Sequence, residues 1–380
     1  MSSGWDVVII GAGIVGTSCA LECAARGLRT AVIDPAGVGS GATAAGMGHI
    51  VVMDDSPAQL ALTRWSQVLW RDLAAKLPPE AEYEARGTLW VATDEEDLAE
   101  VRRKQRGYAA AGVATEVLDS MALAEAEPEL QRGLAGALLV PSDGIVYPPC
   151  AAEHLLLEAS RLGAKMLEPQ RVIAAKRGCV RLKNGGKLMT RHIVNACGAE
   201  ATELMPELPI RKRRGHLVIT DRYPGFVHHQ LVELGYIRSA HSVTTDSVAF
   251  NVQPRQTGQL LIGSSREYGA EDATINYPLL QAMVQRAQMY LPAIRNLQAI
   301  RMWTGFRAAT PDKLPLIGPW PDDDSLILAT GHEGLGITTS LATGKLVAAA
   351  LTGEKPVIVP EPYLPARFAQ GLTATEVLRA

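Results

Sequence analysis

Phenylalanine is scarce in this chain, cysteines form no pattern, and no apolar run is long enough to span a membrane. Only 4 Phe stand beside 6 Trp and 9 Tyr in 380 residues, so Leu, Val, Ile and Ala must fill most of the core that 47% hydrophobic content provides. The five cysteines are Cys19, Cys23, Cys150, Cys179 and Cys197, with no C-x-x-C pair among them. An odd, scattered set argues against a disulfide framework or a zinc site and for a reducing compartment. A formal net charge of −3 is too close to neutral for a nucleic-acid or anionic-membrane binder. No basic segment precedes the first apolar run, so no signal peptide is expected and the chain reads as soluble and cytoplasmic. His228-His229 has no Cys or His partner at ligand spacing, so no metal site is expected. Repeats, low-complexity segments, a Ser–His–Asp set and a paired-carboxylate signature are also missing.

What is present begins at the N-terminus. Val7-Val8-Ile9-Ile10 runs into Gly11-Ala12-Gly13-Ile14-Val15-Gly16, a G-x-G-x-x-G loop. A helix is expected over residues 17–26, closed by Gly27. A second apolar strand, Thr30 to Ile33, ends on Asp34. Strand, glycine loop, helix, strand and acid is the order that binds a dinucleotide. Gly11 permits the tight turn, Gly13 lets backbone N–H groups approach a pyrophosphate, and Gly16 lets helix and strand pack closely. The helix N-terminus offers donors and partial positive charge to the phosphates. Asp34 can accept hydrogen bonds from an adenosine ribose and would repel a 2′-phosphate.

The stretch after Asp34 favours FAD over NAD. Ser40, Gly41, Ala42, Thr43, Ala44, Ala45 and Gly46, continuing to Gly48, are almost all small. Backbone of this kind can lie against a large flat ligand, where a simple nicotinamide fold would continue into a helix with larger core residues. A second glycine loop, Gly331-His332-Glu333-Gly334-Leu335-Gly336, follows a strand over residues 325–330 and precedes a helix over 337–351. It too argues against an NAD-dependent dehydrogenase.

Between these loops the patterns predict helices at 56–77, 95–110, 122–127, about 151–162 and 277–290. Strands are predicted at 86–93, 136–140 and 191–199, with extended chain at 165–175 and a hairpin turn at 183–187. From Arg214 to Ile262 the texture becomes alternating β. The fold class expected is α/β plus β: a Rossmann-like FAD-binding domain with an inserted antiparallel-sheet substrate domain. The expected division is 1–82, 145–215 and 303–380 for the first domain, and 83–144 with 216–302 for the second.

These residues resemble the FAD-dependent D-amino-acid oxidase superfamily. The likeness is greatest to its glycine/sarcosine oxidase branch, the β subunits of amino-acid dehydrogenases and the hydrogen cyanide synthase large subunit, with D-hydroxyproline dehydrogenase among the readings. It covers nearly the whole chain. It rests on Gly11 to Gly16, Asp34, the 40–46 run, Val194-Asn195-Ala196-Cys197-Gly198-Ala199, Gly305-Phe306-Arg307 with Thr310-Pro311-Asp312, and Gly331-His332 with Gly334 and Gly336. The resemblance implies that Asp34 holds the ribose, a role more often filled by glutamate. It implies that Val172 pairs its backbone with the adenine, and that Ala196 and Gly198 lie along the nucleotide. The C-terminal glycine loop, with His332, Ile337 and Thr338, would meet the flavin ring, and the helix dipole there would face the N1–C2=O edge. Relatives that hold flavin covalently carry a cysteine just before the T-P-D motif. Residues 302–309 have none, so FAD is expected to be non-covalent.

The resemblance further implies that Arg307 binds the substrate carboxylate, a task its planar fork suits. His49 is a second catalytic candidate, near the flavin's reactive edge. Phe250, Asn251, Tyr236 and Arg238 are the candidates for lining the substrate pocket. The implied reaction is oxidation of the C–N bond of a small, secondary or cyclic amino acid to the imine, with hydride passing to flavin N5. Glycine, sarcosine, D-proline and D-hydroxyproline are the substrate types considered. Such chemistry needs positioning more than a general base. Two alternatives stand beside an oxidase. One is a dehydrogenase that hands electrons to partner subunits or a quinone, which is slightly favoured. The other is a flavin-binding scaffold subunit in an oligomer, without chemistry of its own.

Overall fold

A computed structural model describes residues 4–235 and 246–368. Among them, one sheet runs Leu316–Trp320, Asp323–Thr330, Lys187–Asn195, Trp5–Ile10, Thr30–Ile33, Lys165–Met166. Trp5–Ile10 pairs in parallel with Lys187–Asn195 on one side and Thr30–Ile33 on the other. Both faces of such a sheet are covered, which explains why its strands read as unbroken apolar runs. Val7, Val8 and Ile9 are fully buried. Val172–Lys176 and Cys179–Leu182 form an antiparallel extension of Lys187–Asn195, joined through the expected hairpin turn.

The first helix, Ile14–Ala25, starts three residues earlier than the sequence pattern predicts, directly on Gly13. It lies between the helices Pro148–Arg161 and Gly336–Thr352. A Cβ at Gly344 would sit 2.6 Å from the Ser18 carbonyl oxygen, so the two helix backbones meet there. Pro148–Arg161 also begins earlier than expected, because Pro148 and Pro149 occupy its first turn, where a missing N–H costs nothing. Pro57–Ala74 is capped as expected: the Ser56 hydroxyl accepts the Gln59 N–H at 3.1 Å.

The second sheet runs Ala299–Ala309, Arg211–Thr220, Leu260–Tyr268, Ser247–Pro254, Gln230–Glu233, Thr88–Ala92, Gly136–Val140, Glu116–Asp119. Its ladders are antiparallel except Gln230–Glu233 with Thr88–Ala92, which is parallel. The helix Tyr277–Tyr290 covers Ser247–Pro254 and Leu260–Tyr268. Strands Arg211–Thr220 and Ala299–Ala309 belong to this sheet along their whole length. Two seams of the proposed division, after 215 and after 302, therefore fall inside strands. Among the described residues no helix is long and apolar enough to cross a membrane.

Candidate active site

A cleft of about 520 Å³ opens between the two sheets. One end is formed by the first glycine loop. A Cβ at Gly11 (φ 107°) would lie 2.5 Å from the Ala196 carbonyl oxygen, and one at Gly16 would lie 1.9 Å from the Gly11 carbonyl oxygen. Each glycine is therefore demanded by backbone packing. Gly13 caps the helix without a side-chain partner. The Ile14 N–H is taken by the Thr43 hydroxyl at 3.0 Å. The rest of that helix turn can face an anion.

Asp34 lines the same end and does structural work as well. The Ala12 N–H donates to its Oδ2 at 2.9 Å, and the Ala36 and Gly37 N–H groups donate to its Oδ1 at 2.7 and 3.1 Å. Its carboxylate thus braces the glycine loop that it borders. Val172, Ala196 and Gly198 line this end, as does Arg171. Cys197 lines it too; burial pushes its thiol up to about 12, so it is a neutral wall and not a nucleophile.

The small-residue run forms the middle. Ser40, Ala42, Thr43, Ala45, Gly46 and Gly48 all border the cleft. A Cβ at Gly46 would be 2.6 Å from Ile337 Cδ1, and one at Gly305 would be 2.5 Å from Ala45 Cβ. The second sheet and the C-terminal helix therefore close directly onto this run, and Trp303 Nε1 donates to the Ala45 carbonyl at 3.2 Å. Gly331, His332, Gly334, Gly336 and Ile337 complete the far end, where the 17-residue helix Gly336–Thr352 points its N-terminus at the cleft. Of the other cofactor candidates, Ala12 and Gly16 do not border the cleft. Thr338 is a brace: its hydroxyl donates to the His49 carbonyl at 2.8 Å and accepts the Val51 N–H at 3.3 Å.

Arg307 reaches the far end from the strand Ala299–Ala309. Its Nη1 donates to the Ser265 carbonyl at 3.0 Å. Its guanidinium lies over Gly215, where a Cβ would be only 2.4 Å from Nη1. The Ser265 hydroxyl is held by His216 Nδ1 at 2.9 Å, and His216 Nε2 accepts the Asn276 N–H at 3.0 Å. Asp312, in the T-P-D motif that follows Arg307, makes a forked pair with Arg367 at 2.7 and 3.2 Å. The acid that faces Arg307 is Glu333. Burial alone would raise its pKa, but Arg266, Arg307 and Arg213 hold it at about 2.

His49 and His332 are both held neutral, their pKa values pushed down to about 3 by burial. His332 Nε2 meets the Thr343 hydroxyl at 3.0 Å, which makes it a loop-shaping residue. His49 Nε2 is buried with no hydrogen-bond partner among the described residues and borders the cleft. A neutral imidazole of this kind positions or polarises; it is too weak a base to strip an ammonium at neutral pH.

Asn251 borders the cleft, and its Oδ1 is a buried acceptor without a partner among the described residues. Phe250 is withdrawn from the pocket. Successive residues of a strand face opposite ways, and Phe250 turns into the core, stacked on Tyr290 at 4.3 Å between ring centroids. Tyr236 and Arg238 lie outside the described residues.

Sequence reasoning missed a side chamber of about 90 Å³ that shares His49, Asn251, Glu333 and Gly334 with the cleft. Arg213, Arg266, Lys313 and Asp55 also line it. The basic run Arg211 to Arg214 was the available signal. Arg213 Nη1 donates to Glu333 Oε1 at 2.6 Å. Burial lowers the Lys313 pKa, and Arg213 and Arg266 push it the same way against Asp55 and Glu333. Among the described residues no cluster of His, Cys, Asp and Glu could hold a metal ion.

The fold agrees with comparison to known proteins. The model of the family described as FAD dependent oxidoreductase matches residues 6–350. The chain is 29% identical to the hydrogen cyanide synthase subunit HcnC of Pseudomonas aeruginosa, over 97% of each chain. It superposes on the crystal structure of glycine oxidase from Geobacillus kaustophilus with a TM-score of 0.86 and 25% identity, covering 97% of this chain and 99% of that one. It superposes equally well, at 0.86 and 25% identity, on the L-proline dehydrogenase from P. horikoshii, over 98% of this chain and 99% of that one.

Proposed function

Because the chain belongs to the DAO family of FAD-dependent oxidoreductases, we propose that it oxidises the C–N bond of a small, secondary or cyclic amino acid to the imine. The substrate loses hydride from carbon and a proton from nitrogen, and the released imine hydrolyses. FAD, when bound, supplies the two-electron acceptor. The glycine-lined cradle fits that group: Gly11 and Gly13 present backbone without side chains to the cleft where the nucleotide would run. Gly11, Gly13, Asp34, Val172 and Ala196 would hold the nucleotide, and Gly46, Gly334 and Ile337 would border the ring.

One observation carries the reading. Arg307 brings a guanidinium to the ring end of the cleft, over a glycine that makes room for it, with its position fixed by the Ser265 carbonyl. A planar fork there can take a carboxylate in two hydrogen bonds. Asn251 Oδ1 offers an acceptor for the N–H of a neutral amine. His49 adds a neutral polar atom at the same wall. Charge at one end and an acceptor at the other orient the Cα–H, which is the main catalytic demand of such a reaction.

An anaerobic screen of D-amino acids, N-methyl amino acids and prolines tests this: one of these classes should bleach the flavin. Retention of full yellow colour with every amino acid, but bleaching by amines that lack a carboxylate, overturns it. A dehydrogenase handing electrons to partner subunits or a quinone remains slightly preferred over an oxidase. Its support is the likeness to a synthase subunit and to a proline dehydrogenase. Rapid turnover on O₂ alone, with stoichiometric peroxide, contradicts that preference.

A further inference from the structure

We infer that His216 is a positioning residue: acting through Ser265, it sets where the Arg307 guanidinium stands in the cleft. The inference rests on the amino-acid reading above. It adds a residue that borders neither the cleft nor the side chamber.

The need for such a residue arises from a break in the sheet. Arg214 pairs with Glu267 and Val218 with Ile262, so the strand Leu260–Tyr268 carries one more residue than its neighbour over this stretch. An extra residue of this kind interrupts the ladder and re-aims side chains. In an unbroken ladder the His216 N–H would go to a backbone carbonyl of Leu260–Tyr268. Here it goes to the Ser265 hydroxyl, at 2.9 Å. His216 Nδ1 meets the same hydroxyl at 2.9 Å. The Ser265 carbonyl takes Arg307 Nη1 at 3.0 Å. Arg307 lies one strand away from His216 on the opposite side, so it reaches over Gly215 to make this bond. Gly215 and His216 face opposite ways along their strand. The arginine therefore crosses the cleft face while the histidine holds Ser265 from the other face.

The neighbours of the ring place its proton. Nε2 accepts the Asn276 N–H at 3.0 Å, so Nδ1 carries the hydrogen and donates it to Ser265. Burial lowers the His216 pKa; Glu267 opposes this, and Arg214 and Arg307 reinforce it. The ring is thus neutral at neutral pH. His216 is 1% exposed and Ser265 fully buried, so a lost bond here has no solvent to replace it. The two nitrogens have separate tasks. Nε2 ties the ring to Asn276, whose side chain caps the helix Tyr277–Tyr290 by accepting the Leu279 N–H at 3.2 Å. Nδ1 holds the irregular backbone at Ser265, and through its carbonyl the guanidinium. Only the second task bears on the substrate.

Two substitutions separate the tasks. His216→Asn brings an amide N–H near the place of Nδ1 and leaves the Asn276 N–H without its acceptor. His216→Gln brings an amide oxygen near the place of Nε2 and leaves the Ser265 hydroxyl without its donor. In FAD-loaded protein, His216→Gln should lower kcat/KM on the amino acid by about tenfold or more, the scale of one buried hydrogen bond. Ser265→Ala should lower it as much, and His216→Asn should recover most of the loss. On an amine without a carboxylate, the Gln and Ala variants should lose much less. Crystal structures give a readout that needs no turnover: Arg307 Nη1 should leave the Ser265 carbonyl in His216→Gln and Ser265→Ala and keep it in His216→Asn. A more damaged Asn than Gln variant would mean that the ring serves the helix cap, and overturns the inference. So does an unmoved Arg307 in His216→Gln and Ser265→Ala. An arginine displaced as expected, in a protein whose flavin no amino acid reduces, leaves the positioning role standing and fails the amino-acid reading alone. Should the histidine variants not fold, Ser265→Ala, which removes a single oxygen, decides by the same two readouts.

Discussion

Adding one methyl group at Gly215 should disable the proposed carboxylate clamp, Arg307, without touching its charge. An ideal Cβ there would lie 2.4 Å from Arg307 Nη1 and 3.0 Å from both Cζ and Nη2. Ordinary contact begins near 3.4 Å, so the guanidinium must retreat by roughly 1 Å. That retreat also pulls Nη1 from the Ser265 carbonyl, now 3.0 Å away. A misplacement of about 1 Å in a positioning group costs on the order of 100-fold in rate, or about 2.7 kcal/mol at the transition state. Gly215 lies in the extended strand Arg211–Thr220, which any residue can adopt. Gly215→Ala should therefore fold, bind FAD and lose about two orders of magnitude in kcat/KM on its amino acid. On an amine without a carboxylate the loss should be much smaller. Activity within about threefold of wild type, in protein with full FAD content, would falsify the claim that Gly215 sets the position of Arg307.

Three further outcomes follow from the same geometry. Arg307→Ala should lower kcat/KM by roughly 30- to several-thousand-fold, from the about 2–5 kcal/mol cost of leaving a charged partner unpaired; Arg307→Lys should recover part, and an equal loss on a carboxylate-free amine would remove Arg307 from the carboxylate. Asp34→Asn keeps an acceptor for the loop but drops the charge, so FAD affinity, measured by equilibrium dialysis, should fall about tenfold or more; Asp34→Ala should also lower the melting temperature, because three backbone donors lose their partner, and an unchanged affinity in both variants would confine Asp34 to bracing. His49 and His332, lowered by burial from 6.5 to about 3, take up protons more readily in the unfolded chain, so their contribution is full above about pH 6.5 and shrinks as pH falls toward 3, with Glu333, held at about 2, adding to the loss below about pH 4.5. The slope is up to about 1.4 kcal/mol per pH unit for each group; urea midpoints between pH 6.5 and 4.5 should fall less steeply in His332→Gln, and an identical slope refutes the neutral, buried His332.

The parts legible in the sequence are those whose requirement is local. Gly11, Gly13 and Gly16 are needed by backbone within a few residues of each other, so spacing alone revealed them. Helix 95–110 was readable because Asp94 caps it, its side chain accepting the Asp97 N–H at 2.9 Å, and acids fill its first turn. The second sheet gave up less. Alternation says that Phe250 and Asn251 must face opposite ways, but not which faces the cleft, and the register shift between Val248 and Asn251 sets that phase. Asp312 stands five residues after Arg307 in sequence but pairs with Arg367, 55 residues away, a partner that no local spacing reveals. The basic run Arg211 to Arg214 alternates too, sending Arg213 to the Glu333 side and Arg214 to Glu267, its Nε 2.8 Å from Oε2. No local rule distinguishes the two.

Glu333 shows why the two glycine loops and the second sheet work as one site. It sits in the C-terminal loop with a left-handed backbone (φ 50°), and its N–H donates to the Ala308 carbonyl at 3.0 Å, one residue beyond Arg307. Its side chain takes Arg213 at 2.6 Å. The loop that borders the cofactor end is therefore tied, through backbone and charge, to the two strands that carry Arg307 and Arg213. Neutralising Glu333 would leave the neighbouring guanidiniums to repel one another and cut the charge tie between the loop and the strand that carries Arg213, while the backbone bond to Ala308 stays. A surface ion pair of this geometry would be worth little. Here Arg213 retains 5% and Glu333 17% side-chain exposure, and breaking a pair that buried typically costs about 3–5 kcal/mol. The charge that looks, in sequence, like one more acid in a glycine-rich turn ties the C-terminal loop to the strand beside Arg307, the proposed carboxylate clamp.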